Sequence, residues 1–363
     1  MGILAAIAVL GLLIVVHELG HFMAARVQNI HVNRFSIGFG PSLVKYQGKE
    51  TEYALRAFPL GGYVGFPDDD PESNIPPDDP NLLRNRPVLD RAIVISAGVI
   101  ANLIFAYFLL VGQAVTIGYQ DINYQPGVLV PEVIEQKNSP ALAGGMKSGD
   151  IILAVNSQTL EASQEAMTVL RDTIQNSPAI PLEFTVKRGE QILSLTITPE
   201  GGPDSNGKIG VMLAPNGEVI RRRAQNPLEA LTQGAAEFQR IGLLTAKGFG
   251  QLITNFGENA EQVAGPVAIV AVGAQLANDN LANLLQFGAL ISINLAIINI
   301  LPLPALDGGQ LAFLLVEGLR GKPIPTKLQD GIMQTGLVLL LGLGLFLIVR
   351  DTLNLAVFQQ LLE

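Results

Sequence analysis

The stretch Val16-His17-Glu18-Leu19-Gly20-His21-Phe22 decides how the rest of the chain is read. It closes an apolar segment that runs from Ile3 to Val16. If that segment is a helix continuing through Phe22, His17 and His21 stand one turn apart, both imidazoles on one face and able to grip one metal ion. Glu18 falls on an adjacent face, placed to take a proton from a metal-bound water rather than to bind the metal. The chain has three histidines, and this pentad holds two of them. A His-Glu-x-x-His can also be an exposed helix face that binds nothing. Here, however, the three ionisable groups prolong a segment otherwise apolar enough for a bilayer, where unpaired charge is costly. A divalent cation is the compensation this predicts.

Composition points the same way. Of 363 residues, 48% are hydrophobic and 15% charged, against roughly 25% charged in soluble domains, which indicates a membrane protein. There is no cysteine, so disulfides and thiolate metal sites are excluded and any zinc must be held by His, Asp or Glu. A formal charge of -9 with no basic tail argues against nucleic acid as a partner. The first basic residue is Arg26; a cleavable signal peptide carries positive charge ahead of its apolar core, so Met1 to Ala25 reads as a retained membrane helix.

Four stretches are long and apolar enough to span a bilayer, at about 3–25, 92–116, 286–304 and 333–349. Between the first two, residues 28–66 change period. Phe35, Ile37 and Phe39 alternate with polar or small residues, as do Tyr53 and Leu55, which predicts strands, with turns at Gly38, Gly40-Pro41, Gly48 and Gly61-Gly62. Such a sheet at the membrane surface is either a plain connection or an edge that pairs with an extended substrate. His31 is read as an ordinary, partly exposed histidine outside the site. Residues 67–81, acidic and rich in proline, read as a solvated, mobile linker with no site of its own. Eight lysines and arginines fall between residues 26 and 91, so the positive-inside rule predicts that residues 28–91 face the cytoplasm and that residues 117–285 and both termini lie on the far side.

Residues 126–214 read as a separate soluble domain of short strands around a helix at Glu165–Ile174. The stretch Ser139-Pro140-Ala141-Leu142-Ala143-Gly144-Gly145-Met146-Lys147-Ser148-Gly149-Asp150, followed by Ile151-Ile152 and Val155-Asn156, resembles the core signature of PDZ domains. That resemblance implies a fold that binds an extended chain end by strand addition, or serves only as a steric plug. Beyond it, Leu228, Leu231, Ala235, Phe238, Ile241, Leu244 and Leu252 have helical spacing, predicting an amphipathic helix on the membrane or on a neighbouring domain.

The third span ends in Asn299-Ile300-Leu301-Pro302-Leu303-Pro304-Ala305-Leu306-Asp307-Gly308-Gly309. Two prolines so close break the helix, and irregular backbone at membrane depth is tolerated where it lines a cavity or is buried in protein. Asp307 could be a helix-capping aspartate. Taken with His17 and His21 it is read as the third protein ligand of a zinc site whose fourth position stays open to water.

At this point the chain resembles the site-2 proteases, zinc metalloproteases that cut within membranes, and among them the bacterial regulator-of-sigma-E protease type. The resemblance rests on HELGHF at 17–22, GFGP at 38–41, PLGGYV at 59–64, one PDZ domain, and NILPLPALDGG at 299–309. It implies His17, His21 and Asp307 as zinc ligands, Glu18 as catalytic acid/base, and Asn299, with Asn294 as a second candidate, as contacts to the substrate backbone. Two features depart from the family pattern. Some members have two PDZ domains where this chain has one. The second span reads Ala97-Gly98-Val99-Ile100-Ala101-Asn102 where proline often follows that glycine, a difference expected to bear on packing more than on chemistry.

The expected architecture is a polytopic α-helical membrane protein with about four transmembrane helices, a membrane-associated β-hairpin region and an inserted α+β PDZ domain. Its segments divide at 1–27, 28–91, 92–118, 119–216 (PDZ), 217–284, 285–309 and 310–363. The expected function is intramembrane zinc proteolysis of pre-trimmed single-span proteins, such as anti-sigma factors or signal-peptide remnants, in a bacterial cytoplasmic membrane, with the PDZ domain outside. The partners are transmembrane substrates and lipid. Two rivals remain. A PDZ-bearing scaffold with a non-catalytic metal site has no need of Glu18. A transporter would show a paired repeat of polar-interrupted spans, and none is found.

Overall fold

The computed structural model describes residues 1–70, 73–134, 139–201, 206–255, 257, 263–280 and 282–362. The chain divides into two units, residues 1–118 with 223–363 and residues 119–222.

In the first unit, helix α1 (Gly2–Val27) continues unbroken through the histidine pentad. Asn29 ends it in left-handed backbone at φ 57°, a conformation asparagine tolerates well. Helix α2 (Val88–Thr116) starts four residues before the expected span and packs along α1. The two approach closely where Gly20 lies against Ala97: a Cβ on Gly20 would stand 2.4 Å from the Ala97 carbonyl oxygen, the small-residue contact typical of membrane helices. Four helices among the described residues are long and apolar enough to cross a membrane: Gly2–Val27, Val88–Thr116, Asn283–Ile300 and Thr326–Asn354.

Strands β1 (Arg34–Gln47) and β2 (Glu52–Gly65) are longer than the alternating pattern implied, and the expected turns at Gly38, Gly40-Pro41 and Gly61-Gly62 fall inside them. Their register resolves the difference. Residues 34–37 pair in parallel with 52–55 and antiparallel with 62–65, while 44–47 pair antiparallel with 52–55. Each long strand therefore folds back on itself, giving four short segments in the order 44–47, 52–55, 34–37, 62–65. Gly38, Gly40 and Gly61 absorb the bends at positive φ. The acidic linker is more tied down than its composition suggested: the Asp68 carboxylate accepts from the backbone N–H groups of Leu83 and Arg84.

After the second unit, the expected amphipathic segment forms helix α5 (Pro227–Thr254), and a further helix, α6 (Pro266–Asp279), follows it, the two numbered after the two helices of the second unit given below. The Asn226 side chain accepts from the Glu229 amide to cap α5. Helix α7 (Asn283–Ile300) buries Ala289 and Ile293 against Ala106 and Leu110 of α2 and Ile241 of α5. It stops at Ile300, so Asp307 lies not within the third span but at the start of the next helix, α8 (Asp307–Arg320). Helix α9 (Thr326–Leu362) closes the chain.

The second unit is an antiparallel sheet in the order β7-β6-β4-β3-β8, with β5 (Gln158–Thr159) paired to β4. Its strands are β3 (Tyr119–Val130), β4 (Asp150–Val155), β6 (Leu182–Arg188), β7 (Gln191–Ile197) and β8 (Ala214–Arg222). Helix α3 (Pro140–Ala143) and helix α4 (Glu165–Gln175) complete it, and Ala166, Leu170 and Ile174 of α4 join Phe184, Val186 and Ile152 in one core. Tyr119 and Arg222 are paired partners, so the unit enters and leaves the first unit's chain through neighbouring backbone.

Candidate active site

Helix α1 presents His17 and His21 one turn apart, their ring centroids 4.8 Å from each other. Asp307 reaches the same point from the N-terminus of α8. Its position follows from the broken backbone before it. Leu301 leaves the helical conformation, and Ala305 takes φ 68°, a sparsely populated state for a residue with a Cβ. The loop is braced by α9, where the Met333 sulfur accepts from the Ala305 N–H at 3.3 Å and Gly336 lies against Pro304. Gly308 lets α8 start directly over the end of α7: a Cβ there would stand 2.1 Å from the Leu301 carbonyl oxygen.

Nε2 of His17 lies 3.2 Å from Nε2 of His21. Oδ2 of Asp307 lies 3.2 Å from the first and 3.4 Å from the second. Three acceptor-capable atoms thus form a nearly equilateral triangle. A tetrahedral zinc with bonds of about 2.0–2.1 Å holds its ligands about 3.3–3.4 Å apart, so the triangle has the size of one face of that coordination shell. Oδ2 of Asp307 is buried and receives no hydrogen bond of acceptable geometry, although both ring nitrogens are beside it. A cation among the three atoms resolves that arrangement, and the set fits zinc. These three residues are the grouping of His, Asp and Glu side chains with metal-site geometry found among the described residues.

Glu18 is buried and electrostatically coupled to His21, His17 and Asp307. Segment 62–65 of the sheet lies against it: a Cβ on Gly62 would stand 2.8 Å from Glu18 Cγ. Nδ2 of Asn299 is 3.4 Å from His17 Nε2. Asn294 sits five residues earlier on α7, about 140° around the helix from Asn299, and none of the described hydrogen bonds joins it to the site. His31 lies apart, 3.7 Å from Asp79. The structure therefore gathers His17, Glu18, His21, Asn299 and Asp307, with Asn294 about one and a half turns earlier on the helix that carries Asn299.

Three contributions from α2 were not read from sequence. The Val94 carbonyl accepts from His21 Nδ1 at 2.8 Å, which keeps the proton on Nδ1 and leaves Nε2 with a free lone pair. A Cβ on Gly98 would stand 2.3 Å from His21 Nε2 and 2.8 Å from His17 Cε1. Asn102, fully buried, places its side-chain amide 3.3 Å from His17 Nδ1. Gly98 touches both imidazoles and Asn102 meets one of them; the departure from the family pattern noted in the sequence concerns only the residue after Gly98, where Val99 stands in place of proline. The spacing of four residues between Gly98 and Asn102, one face of a helix, was the available signal. Arg91 of α2 pairs with Glu317 of α8, tying the helix that backs the histidines to the helix that carries Asp307.

Comparison with known proteins gives the following. The profile of peptidase family M50 matches residues 5–343. A Nostoc sp. protein with a provisional zinc metalloprotease name is 62% identical over 98% of this chain and 97% of its own length. The membrane metalloprotease ARASP of Arabidopsis thaliana, named as chloroplastic, is 49% identical over 99% of this chain and 80% of its own length. Protease RseP of Yersinia pestis is 31% identical over 94% of this chain and 97% of its own length. Among solved structures, the PDZ domain of an SdrC-like protein from Listeria innocua is 25% identical, covering 24% of this chain and 92% of its own, with a TM-score of 0.20.

Proposed function

The chain belongs to peptidase family M50, the site-2 proteases, and from that premise we propose how its residues carry out peptide hydrolysis. It is a zinc metalloendopeptidase and an integral membrane protein. We assign the zinc to His17, His21 and Asp307, on the support of the donor triangle, the observation that carries this reading. When bound, zinc supplies Lewis acidity, lowering the pKa of a water molecule and polarising a carbonyl. Glu18 then acts as general base, taking the proton of the attacking water and passing it to the leaving amine. Its burial next to the ligands keeps bulk water from competing for that proton.

The substrate is a transmembrane segment of a single-span protein already shortened by another protease, an anti-sigma factor or a signal-peptide remnant. A helical amide has its carbonyl hydrogen-bonded and shielded, so the segment unwinds before it reacts. Asn299 holds the extended backbone beside His17. Segment 62–65, paired on one side with 34–37, offers its other edge to the extended strand. Residues 119–222 are a PDZ domain that screens substrates by size, a reading supported by the Ser139–Asn156 signature and by the helix-backed antiparallel sheet. We place the protein in a bacterial cytoplasmic membrane; the density of lysine and arginine between residues 26 and 91 supports residues 28–91 inside and the PDZ domain outside.

The test uses purified protein and a transmembrane model substrate. Wild type should hold about one zinc per chain; His21→Ala and Asp307→Ala should lose most of it. Glu18→Gln should keep the zinc and the bound substrate while cleavage falls about 10²–10⁴-fold or more. Full zinc retention in both ligand variants would refute the ligand set. Wild-type cleavage by Glu18→Gln would defeat the mechanism.

A further inference from the structure

Resting on His17 as a zinc ligand, we propose that Asn102 is a positioning residue that presents its side-chain carbonyl oxygen to His17 Nδ1–H, and so fixes the tautomer in which Nε2 is free to bind the metal. The two histidines face the same requirement. A neutral imidazole ligates through the nitrogen that lacks the proton, so a ring bound through Nε2 carries its proton on Nδ1 and needs an acceptor there. His21 has one in the backbone carbonyl of Val94, at 2.8 Å. For His17 the group at that place is the amide of Asn102, at 3.3 Å.

The amide has two orientations of one shape, related by a half-turn about its terminal bond. With nitrogen toward the ring, NH2 donates to a bare Nδ1, the proton sits on Nε2, and His17 cannot bind a metal through that atom. In this orientation Asn102 Oδ1 is buried without a hydrogen-bond partner among the described residues, a costly arrangement. With oxygen toward the ring, Oδ1 accepts from Nδ1–H and Nε2 is left as a ligand. The second orientation pairs the oxygen and matches the metal-competent tautomer, while the NH2 group takes the position where the oxygen met no donor.

The rest of the surroundings hold Asn102 at this position. Its backbone carbonyl accepts from Ser292 Oγ of α7 at 2.8 Å, buried between the two helices. Gly98, one turn earlier on α2, leaves the space that the two imidazoles fill. An asparagine that only joined helices by hydrogen bonding would serve equally well as a donor. Metal binding requires it as an acceptor, and that separates the two roles.

The experiment measures zinc affinity by competition with a chelator in the full-length protein. Asn102→Leu, similar in size and without polar atoms, should bind zinc about 10–100-fold more weakly. Asn102→Asp, acceptor only, should restore it to within a few-fold of wild type. Equal losses in the Leu and Asp variants, or no loss in either, would overturn the proposal. His17→Ala separates it from its premise. Zinc loss in that variant with unchanged affinity in Asn102→Leu refutes the role of Asn102 alone, whereas zinc retained by His17→Ala removes the ligand set and this role together. Should the Asn102 variants not fold, the wild type suffices. The chain has three histidines, so ¹⁵N-histidine NMR of the zinc-loaded protein can resolve His17. A protonated Nδ1 protected from solvent exchange is expected, and a His17 bound through Nδ1 overturns the proposal.

Discussion

Gly98 of α2 and His21 of α1 meet so closely that a Cβ on the glycine would stand 2.3 Å from the ring nitrogen facing Asp307. Neither residue's neighbours in sequence announce this contact. It makes one glycine of an apolar helix part of the wall of the proposed zinc site.

Gly98→Ala tests that contact. In a helix interior, alanine is favoured over glycine by about 1 kcal/mol, so local propensity predicts a gain in stability. The steric conflict predicts displaced imidazoles, and a shift of about 1 Å in such a site can cost on the order of 10²-fold in rate. The expected result is a folded, inserted protein with cleavage reduced by that order and weaker zinc binding. Gly112 of the same helix has nothing within 4 Å of its Cβ position among the described residues, so Gly112→Ala should leave both unchanged. Equal activity in the two variants would show that the Gly98 contact does not matter.

The proposed topology can be read with reporters. One fused near Asp70 should report the cytoplasm and one near Asn206 the opposite side, because lysine and arginine are dense between residues 26 and 91. The same signal from both fusions would rule out the four-span arrangement with alternating sides.

The ends of the second unit make a clean deletion possible. Tyr119 and Arg222 are paired across β3 and β8, so residues 119–222 can be replaced by a short Gly/Ser linker without stretching the chain. Since His17, His21, Glu18 and Asp307 all lie in the other unit, the deleted protein should keep its zinc and cleave a short substrate. It should also begin to cleave substrates with long ectodomains that the intact protein rejects. Loss of zinc in a folded deletion would contradict the division of labour.

Asp150 supplies a stability test. Burial acts to raise its carboxyl pKa, but the Arg188 guanidinium, which donates to both carboxylate oxygens at 2.7 Å, and the Lys147 N–H together outweigh that, and the carboxyl is held below its usual range. A folded-state pKa below the unfolded value of about 3.9 means the stabilisation is present above that pH and is lost as pH falls through the folded value. Removing one partner of a fully buried pair costs about 3–5 kcal/mol. Arg188 is 30% exposed, so Asp150→Asn should cost less, about 2 kcal/mol. Protease susceptibility of the second unit should rise in this variant at neutral pH, and the gap to wild type should narrow under acid. Indistinguishable protection at neutral pH would dismiss the contribution.

Much of this protein is local, and what is local was legible in its residues. The period of an α-helix alone puts His17 and His21 on one face and Glu18 on the next. Length and apolar composition alone mark the four spans, and the two prolines before Asp307 mark the broken backbone. Asp307 directly after that break reads as the third ligand beside His17 and His21, and the resemblance adds Asn299 and Asn294. The expected hairpin was read from alternation and glycines, and alternation does not reveal that a strand folds back at Gly38 and Gly61 to pair with two partners. Likewise no period relates α2 to α1. That Gly98 makes room for the imidazoles and that Val94 and Asn102 meet their Nδ1 atoms were decided by how the helices cross. Side chains far apart in the chain share a site only through packing, and packing is set by the whole of two surfaces rather than by the spacing along either one.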